Sequence, residues 1–216
     1  MPAPSLKLGV DRRGQPLSYE IREQTTVFEN FLKVERFNLK IQRFDGSWTT
    51  PFERHVATNA SGLAIVALPY DPVEDKLIFV EQFRMGWMIR ETNAWSLEAV
   101  AGLLEPNSTA EETVYREVLE ETGLTPSTLK DMGSFIPSGG SLTEKLFCYI
   151  VKVAAPLHGS EHGLATEHEN IRLHVLPADE AIRLLDSGQI NDLKTAYMLQ
   201  WFARHKEALR REWLQK

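Results

Sequence analysis

Cysteine is almost absent from this chain of 216 residues. The single cysteine, Cys148, excludes an intrachain disulfide framework. It lies within an apolar run at residues 146–151. We therefore interpret it as a small buried strand residue rather than a reactive thiol.

Basic residues are fewer than acidic ones. The chain has 24 Lys and Arg against 30 Asp and Glu, which gives a formal net charge of −6. That balance disfavours nucleic acids and anionic membrane surfaces as partners. A local group of acidic side chains still has to be explained, because such a group could hold a cation.

Long apolar runs and a leader pattern are missing as well. The first residues, Met1–Ser5, lack a charged start followed by an apolar core. The longest apolar stretches, such as 62–69, are too short to span a bilayer. We therefore expect a cytoplasmic protein.

The N-terminal part is predicted to be a small antiparallel β unit. Phe37, Leu39 and Ile41 alternate with polar residues, and a hairpin turn is predicted at the Asp-Gly pair 45–46. So few strands are rarely stable alone, and we expect this unit to cover another surface. We assign it to residues 1–57, with a second domain at 58–216.

The second domain alternates short strands with few helices. This pattern predicts an α+β fold, with a mixed β-sheet core flanked by helices. The predicted strands span 63–68, 76–83, 96–100, 132–136, 145–153 and 171–175. The predicted helices lie within 102–124, 178–187 and 191–213.

The acidic segment 102–124 contains the residues best suited to chemistry. Ser108 and Glu111 have the spacing of a capping box, which predicts a helix that starts at Thr109. Gly123 is well placed to end that helix.

Three carboxylates share one face of the predicted helix. Glu117 and Glu120 are three residues apart, and Glu117 and Glu121 are four apart. Like charges at these spacings repel, whereas Mg²⁺ would bind their oxygens and keep waters for a phosphate substrate. Arg116 can hydrogen-bond to one of these carboxylates and hold its orientation.

A solvent-exposed acidic helix is the simpler interpretation of a Glu-Glu pair, because such helices are common. Here the loop 102–107, the capped helix and the run Arg-Glu-x-x-Glu-Glu-x-Gly at 116–123 occur in one register. That combination favours a metal site.

The segment resembles the Nudix box, Gly-x₅-Glu-x₇-Arg-Glu-U-x-Glu-Glu-x-Gly-U, in which U is an aliphatic residue. The matching residues are Gly102, Arg116, Glu117, Val118, Glu120, Glu121, Gly123 and Leu124. Ser108 departs from the box, because the family has a Glu there that supports the helix geometry. We expect Ser108 to cap the helix and Glu112, four residues before Arg116, to replace part of the lost pairing.

Beyond the box, residues 28–216 resemble the bacterial ADP-ribose pyrophosphatase subfamily. The supporting stretches are Leu68–Val73, Val80–Arg84, Glu98–Gly102, Ser138–Gly140, His162–Ala165 and Glu167–Ile171. The resemblance implies a Nudix fold, an α/β/α sandwich with an N-terminal antiparallel β extension. It also implies hydrolysis of ADP-ribose to AMP and ribose 5-phosphate with Mg²⁺, or with Mn²⁺. The implied assembly is a homodimer in which N-terminal strands are exchanged.

The resemblance also implies which residues hold the metal. Glu117 and Glu121 are the best ligand candidates and Glu120 is the next, joined by the backbone carbonyl of Ala101. Arg116 would hold these carboxylates in place. The ions would bridge the diphosphate and orient or acidify the attacking water.

A base that takes the proton of the water lies outside the box in this subfamily, on a mobile acidic loop. Glu167 matches that position, and Glu169 is the second candidate. From the residues alone, 166–170 is simply a polar loop. Catalytic residues do concentrate on loops held by a rigid scaffold.

Five further residues are candidates for substrate binding. Arg84 follows a buried strand, where a cation can contact phosphate or stack on adenine. Arg54 would approach the partner's site in the implied dimer. Phe31 matches an aromatic position that stacks on adenine, although ordinary strand packing explains it equally well. Ser138 and Glu144 would line the region near the second half of the substrate.

Two other functions remain open. The same chemistry on GDP-mannose or ADP-glucose would require only different contacts to the rings. A non-catalytic ADP-ribose sensor is the other alternative, and Ser108 favours it. The retained acidic set argues against a sensor: Glu117, Glu120, Glu121, Glu167 and Glu169.

Overall fold

The computed structural model describes residues 8–59, 61–155, 160–164 and 168–215. The chain divides into two compact units. The first is Met1–Ala60 with Ser138–Thr143, and the second is Ser61–Pro137 with Glu144–Lys216. The segment Ser138–Thr143 joins the first unit through a β-bridge between Leu142 and Ala57.

The first unit is a three-stranded antiparallel sheet in the order β1-β2-β3. Its strands are β1 (Tyr19–Glu29), β2 (Leu32–Ile41) and β3 (Phe52–Asn59). The predicted hairpin turn is confirmed, because Gly46 has a φ of 88° and its N–H donates to the Arg43 carbonyl at 2.8 Å. Within 8–59 no described residue is buried.

The second unit is built on a mixed eight-stranded sheet. Its elements are β4 (Leu63–Asp71), β5 (Lys76–Phe83), α1 (Met85–Arg90), β6 (Trp95–Glu98), β7 (Val100–Leu103), α2 (Ala110–Thr122), β8 (Thr128–Phe135), β9 (Lys145–Lys152), β10 (Glu161–His162), β11 (Ile171–Pro177), α3 (Ala178–Asp186) and α4 (Leu193–Leu214). The strand order is β10-β11-β5-β4-β9-β8, with β6 paired to β5 and β7 paired to β4. Strands β4 and β9 run parallel, and the other pairs are antiparallel.

Strand β4 is buried on both faces, which explains its unbroken apolar sequence. Its alternate residues Val66, Leu68 and Tyr70 pack in one cluster with helices α3 and α4. Ile65 and Ala67 belong to a second cluster with α2. The helices therefore cover opposite faces of the sheet, and the predicted α/β/α architecture is confirmed.

The single strand predicted at 96–100 is wrong, because the structure has two strands there, β6 and β7. The chain breaks at Ala99, whose N–H donates to the Thr195 hydroxyl at 2.8 Å instead of to a neighbouring strand. Helix α1 and strand β10 were not predicted. Helix α1 has 6 residues, which is shorter than the window over which helical periodicity can be recognised. No helix among the described residues is long and apolar enough to cross a membrane.

Asp75 ties the turn between β4 and β5 to helix α4. Its carboxylate lies 2.8 Å from Lys206 Nζ and accepts a hydrogen bond of 2.9 Å from the Tyr70 hydroxyl. Lys206 is only 7% exposed and also contacts Asp179 on α3 at 2.7 Å. Burial alone would lower the pKa of Lys206, but hydrogen bonds with both carboxylates raise it.

We expect Asp75→Asn to lower the free energy of unfolding by about 2 kcal/mol, because it removes one partner of a buried ammonium. Asparagine tolerates the φ of 53° at this position, so backbone strain does not contribute. Asp179→Asn is the matched control. Its side chain is 71% exposed, and we expect a loss below about 1 kcal/mol. Urea denaturation measures both, and equal losses would contradict the expectation.

Candidate active site

Helix α2 begins one residue later than predicted. Thr109, not Ser108, is the N-cap, because its hydroxyl accepts the Glu112 N–H at 3.2 Å while the Glu112 carboxylate accepts the Thr109 N–H at 2.8 Å. The preceding loop turns at Asn107, whose φ is 70°. Glu112 is therefore engaged in the cap, and its expected pairing with Arg116 is wrong. The predicted helix end at Gly123 is confirmed by a left-handed φ of 70°.

Arg116 pairs with other carboxylates. Its guanidinium lies 2.7 Å from Glu117 Oε1 and 2.8 Å from Glu120 Oε2. It lies 3.8 Å from Glu105, which belongs to the loop before the helix. Two of the three box glutamates are thus held by Arg116, and Glu105 supplies a loop carboxylate where the box glutamate at position 108 is missing.

Strand β7 passes so close to α2 that a side chain at Gly102 would displace the Glu117 carboxylate. A Cβ atom there would lie 1.9 Å from Glu117 Cδ. Pairing with β4 holds the strand in place, with Ala101 opposite Val66 and Gly102 opposite Ile65. The box glycine therefore lets the Glu117 carboxylate lie against the strand, beside the residue whose carbonyl is the expected ligand.

Glu117 and Glu121 are largely removed from water. The Glu117 side chain is 13% exposed and Glu121 is 2% exposed. Burial raises the pKa of Glu117 to about 7, in spite of the opposing charge of Arg116. Burial, followed by the charges of Glu117 and Glu169, raises the pKa of Glu121 well above its ordinary value. Such a site disfavours unbalanced negative charge and favours a cation.

The Oε2 atom of Glu121 supports the fit of a metal ion. It is buried, and in the described part of the chain no hydrogen-bond donor reaches it. In the same part of the chain, no three His, Cys, Asp or Glu side chains form a complete metal-binding group. The available set of two carboxylates and a carbonyl suits a hard divalent ion that keeps water and phosphate ligands.

A pocket of about 330 Å³ contains Arg84 and Glu169. Its lining residues are Gln82, Phe83, Arg84, Trp95, His168, Glu169 and Asn170. Burial raises the pKa of Glu121, and the nearby positive charge of Arg84 opposes part of that rise. The structure thus brings Arg84, Glu169, Glu117 and Glu121 together within the second unit.

Glu169 is the candidate base that the structure places near the buried carboxylates. Its own carboxylate accepts the Leu164 N–H at 3.2 Å. Its charge contributes to the raised pKa of both Glu117 and Glu121. The other candidate base, Glu167, lies outside the described residues.

Three substrate-binding candidates lie in the first unit. Phe31 lies between β1 and β2 and is 72% exposed, which does not support the alternative of strand packing. Arg54 lies on β3 with its guanidinium 4.6 Å from the Phe52 ring centroid. The Ser138 hydroxyl is 3.1 Å from that of Ser141. Glu144 belongs to the second unit, where it is half-buried directly before β9.

No role was predicted for Glu98, the last residue of β6. The carboxylate is 1% exposed and accepts two hydrogen bonds from Arg84, at 2.9 and 2.8 Å. An acidic residue within the short strand was the available signal. Its partner could not be identified, because the pair is 14 residues apart and depends on the pairing of β5 with β6.

Comparison with known proteins identifies the family of this chain. Residues 60–202 match the NUDIX domain family. An ADP-ribose pyrophosphatase of Escherichia coli (strain K12) is 32% identical over 90% of this chain and 92% of that protein. A GDP-mannose pyrophosphatase of Pectobacterium atrosepticum is 28% identical over 86% of this chain and 97% of that protein.

The fold has a solved counterpart. The crystal structure of an ADP compounds hydrolase aligns with a TM-score of 0.65 and 21% identity, over 91% of this chain and 94% of that one. That likeness concerns the fold alone. The family match spans most of the chain and includes the loop 102–107, helix α2 and the loop of Glu169. The chain therefore belongs to the NUDIX domain family.

Proposed function

We propose that this protein hydrolyses the pyrophosphate bond of ADP-ribose to AMP and ribose 5-phosphate, with Mg²⁺ as cofactor. The observation that carries the proposal is the pair of buried carboxylates, Glu117 and Glu121, of which Glu121 Oε2 has no hydrogen-bond donor among the described residues. The Escherichia coli relative, which is named for ADP-ribose, supports this substrate.

The proposed metal ligands are the carboxylates of Glu117 and Glu121 and the carbonyl of Ala101. Glu120 ranks after them as a candidate ligand, because its carboxylate already pairs with Arg116 at 2.8 Å. Mn²⁺ is the alternative ion, since both ions accept oxygen ligands. When bound, the ion neutralises charge on the diphosphate and acidifies the attacking water.

The remaining steps belong to side chains of the chain itself. Arg84 binds a phosphate oxygen through N–H groups that Glu98 leaves unused. Arg116 holds Glu117 and Glu120 in position. Glu169 accepts the proton of the attacking water, and Glu167 is the other candidate for that step. Pyrophosphate cleavage needs little more, because it depends mainly on positioning and electrostatic stabilisation.

GDP-mannose is the second candidate substrate, and the Pectobacterium relative favours it over ADP-glucose. The carboxylates and Arg84 would act on the diphosphate in the same way, so only contacts to the base and sugar would differ. A non-catalytic sensor is the third alternative. The desolvated carboxylates argue against it, because binding alone does not require a site that destabilises them.

We also propose a homodimer in which the N-terminal unit, 1–57, exchanges between protomers. A three-stranded sheet without a buried face is rarely stable alone. Among the described residues of this unit, the exposed large apolar side chains are Leu8, Tyr19, Ile21, Val27, Phe28, Phe31, Leu32, Ile41, Phe44 and Trp48. In this dimer the partner's Arg54 and the partner's Phe31 would bind the adenine half of the substrate. Ser138 and Glu144 would line the region around the second half.

We expect Glu117→Gln to lower kcat for ADP-ribose with Mg²⁺ by about 10²-fold or more, the usual effect of losing a group that stabilises transition-state charge. Chromatography of AMP measures the rate. Glu111→Gln is the matched control, because Glu111 lies exposed in the first turn of the same helix. We expect its rate to be unchanged.

Parallel assays with GDP-mannose and ADP-glucose decide the substrate, and the fastest turnover identifies it. A Glu117→Gln variant as active as the control would contradict the proposed metal site. Binding of ADP-ribose without turnover of any of the three compounds would instead support the sensor.

Removal of the buried charge at Glu121 should separate stability from metal binding. In EDTA we expect Glu121→Gln to melt at a higher temperature than the wild type, because it replaces a desolvated carboxylate with a neutral isostere. Added Mg²⁺ should raise the melting temperature of the wild type but not of this variant. Differential scanning fluorimetry measures both, with Glu111→Gln as the control. An equal response to Mg²⁺ in both proteins would exclude Glu121 as a ligand.

The proposed exchange predicts complementation between two inactive variants. Glu117→Gln and Arg54→Ala chains are unfolded, mixed and refolded together. They should form heterodimers in which one of the two sites has both native residues. Random pairing gives roughly a quarter of the wild-type rate. Sedimentation velocity should give twice the chain mass of 24.6 kDa. A monomer, or a mixture without recovered activity, would refute the shared site.

A further inference from the structure

Glu98 is a buried carboxylate with an unusually complete set of cationic partners. It ends strand β6 and is 1% exposed. Its oxygens accept the Arg84 Nε–H at 2.9 Å and an Nη2–H at 2.8 Å, and Lys194 Nζ lies 3.6 Å away. Burial alone would raise the pKa of Glu98, but the hydrogen bonds from Arg84 and the charge of Lys194 hold it below its ordinary value.

Arg84 faces a second group of carboxylates on the pocket side. Its side chain is 37% exposed and lines the pocket together with Glu169. Burial lowers the pKa of Arg84, but the hydrogen bonds and charge of Glu98, followed by the nearby charge of Glu121, raise it above its ordinary value. Glu121 Oε2 has no donor among the described residues. A guanidinium that left Glu98 would therefore find an unsatisfied carboxylate within the same site.

Such a move would have a functional cost. A bidentate pair between Arg84 and Glu121 would occupy the oxygen that the metal needs, because arginine binds carboxylates by two parallel hydrogen bonds. It would also withdraw the cation that is proposed to bind phosphate. The pair with Glu98 is geometrically good and deeply buried on the carboxylate side, so it competes effectively with Glu121.

We infer that Glu98 is a positioning residue, which holds Arg84 at the substrate pocket and keeps it away from Glu121, so that Glu121 remains available to a divalent metal ion. This inference rests on the proposed function and adds a role for a residue outside the box. Glu98 is not among the residues that line the pocket. It acts through Arg84.

Helix α4 supports this arrangement from behind. Lys194 lies in its first turn, and the Thr195 hydroxyl accepts the Ala99 N–H at 2.8 Å. The Thr195 hydroxyl in turn donates to Asp192 at 2.8 Å. These contacts fix the break between β6 and β7, so the Glu98 side chain has little freedom to follow Arg84 into the pocket.

The test is Mg²⁺ binding by the full-length protein without substrate, measured by isothermal titration calorimetry. We expect Glu98→Gln to weaken Mg²⁺ binding about tenfold, because released Arg84 competes for Glu121. We expect the double variant Arg84→Gln/Glu98→Gln to bind Mg²⁺ at least as tightly as the wild type, because the competing cation is gone. A loss of packing at Glu98 would not be rescued in this way.

Lys194→Met is the matched control. It removes another cationic partner of Glu98 but leaves the bidentate pair with Arg84, and we expect Mg²⁺ binding within twofold of the wild type. Circular dichroism and melting curves verify that each variant folds. Should Glu98→Gln fail to fold, Glu98→Asp keeps the charge but shortens the reach, and it should show a weakened Mg²⁺ affinity that Arg84→Gln restores.

Five outcomes of these measurements test the inference. Weak binding in Glu98→Gln with recovery in the double variant supports the inference. Wild-type affinity in Glu98→Gln, or no recovery in the double variant, overturns it. Absence of Mg²⁺ binding by the wild type overturns both this inference and the proposed metal site. Recovery in the double variant without turnover of ADP-ribose by the wild type overturns only the proposed substrate.

Discussion

The burial of strand β4 on both faces is the constraint on which the second unit depends. Every residue of β4 after Leu63 is buried, and the strand is hydrogen-bonded to β5, β7 and β9. A close-packed interior of this kind cannot shift by a fraction of an ångström without cost. Strand β7 is therefore held firmly, and Gly102 remains against the carboxylate of Glu117. The chemistry of α2 is built on this rigid base.

Repulsion between the carboxylates of the site destabilises helix α2, and other contacts of the helix offset this effect. Each pair of like charges one turn apart costs a few tenths of a kcal/mol, about as much as an opposite pair would contribute. The capping box of Thr109 and Glu112 stabilises the helix in return, because it satisfies two backbone N–H groups of the first turn. Val114 and Val118, fully buried against the sheet, anchor the same helix. The helix can thus hold desolvated carboxylates in place before any cation arrives.

Local sequence patterns predicted most elements of the second unit, because alternation and helical periodicity are imposed by burial on one face or both. The patterns failed where two neighbouring residues were equally suited to be the N-cap of a helix. Ser108 with Glu111 and Thr109 with Glu112 both have the spacing of a capping box, and the left-handed turn at Asn107 selects the second. The continuous strand at 96–100 failed for another reason. Its break at Ala99 is made by a hydroxyl on α4, 96 residues away.

By itself, the sequence determined the composition of the site. The spacing of Glu117, Glu120 and Glu121 places them on one helical face in any fold that keeps the helix, because the periodicity is local. Only the tertiary structure decided how far each carboxylate is desolvated, and that Glu105 rather than Glu112 accompanies Arg116. Only the tertiary structure also paired Arg84 with Glu98, through the register of β5 and β6. Desolvation and strand register depend on residues distant in the chain, and no local pattern contains them.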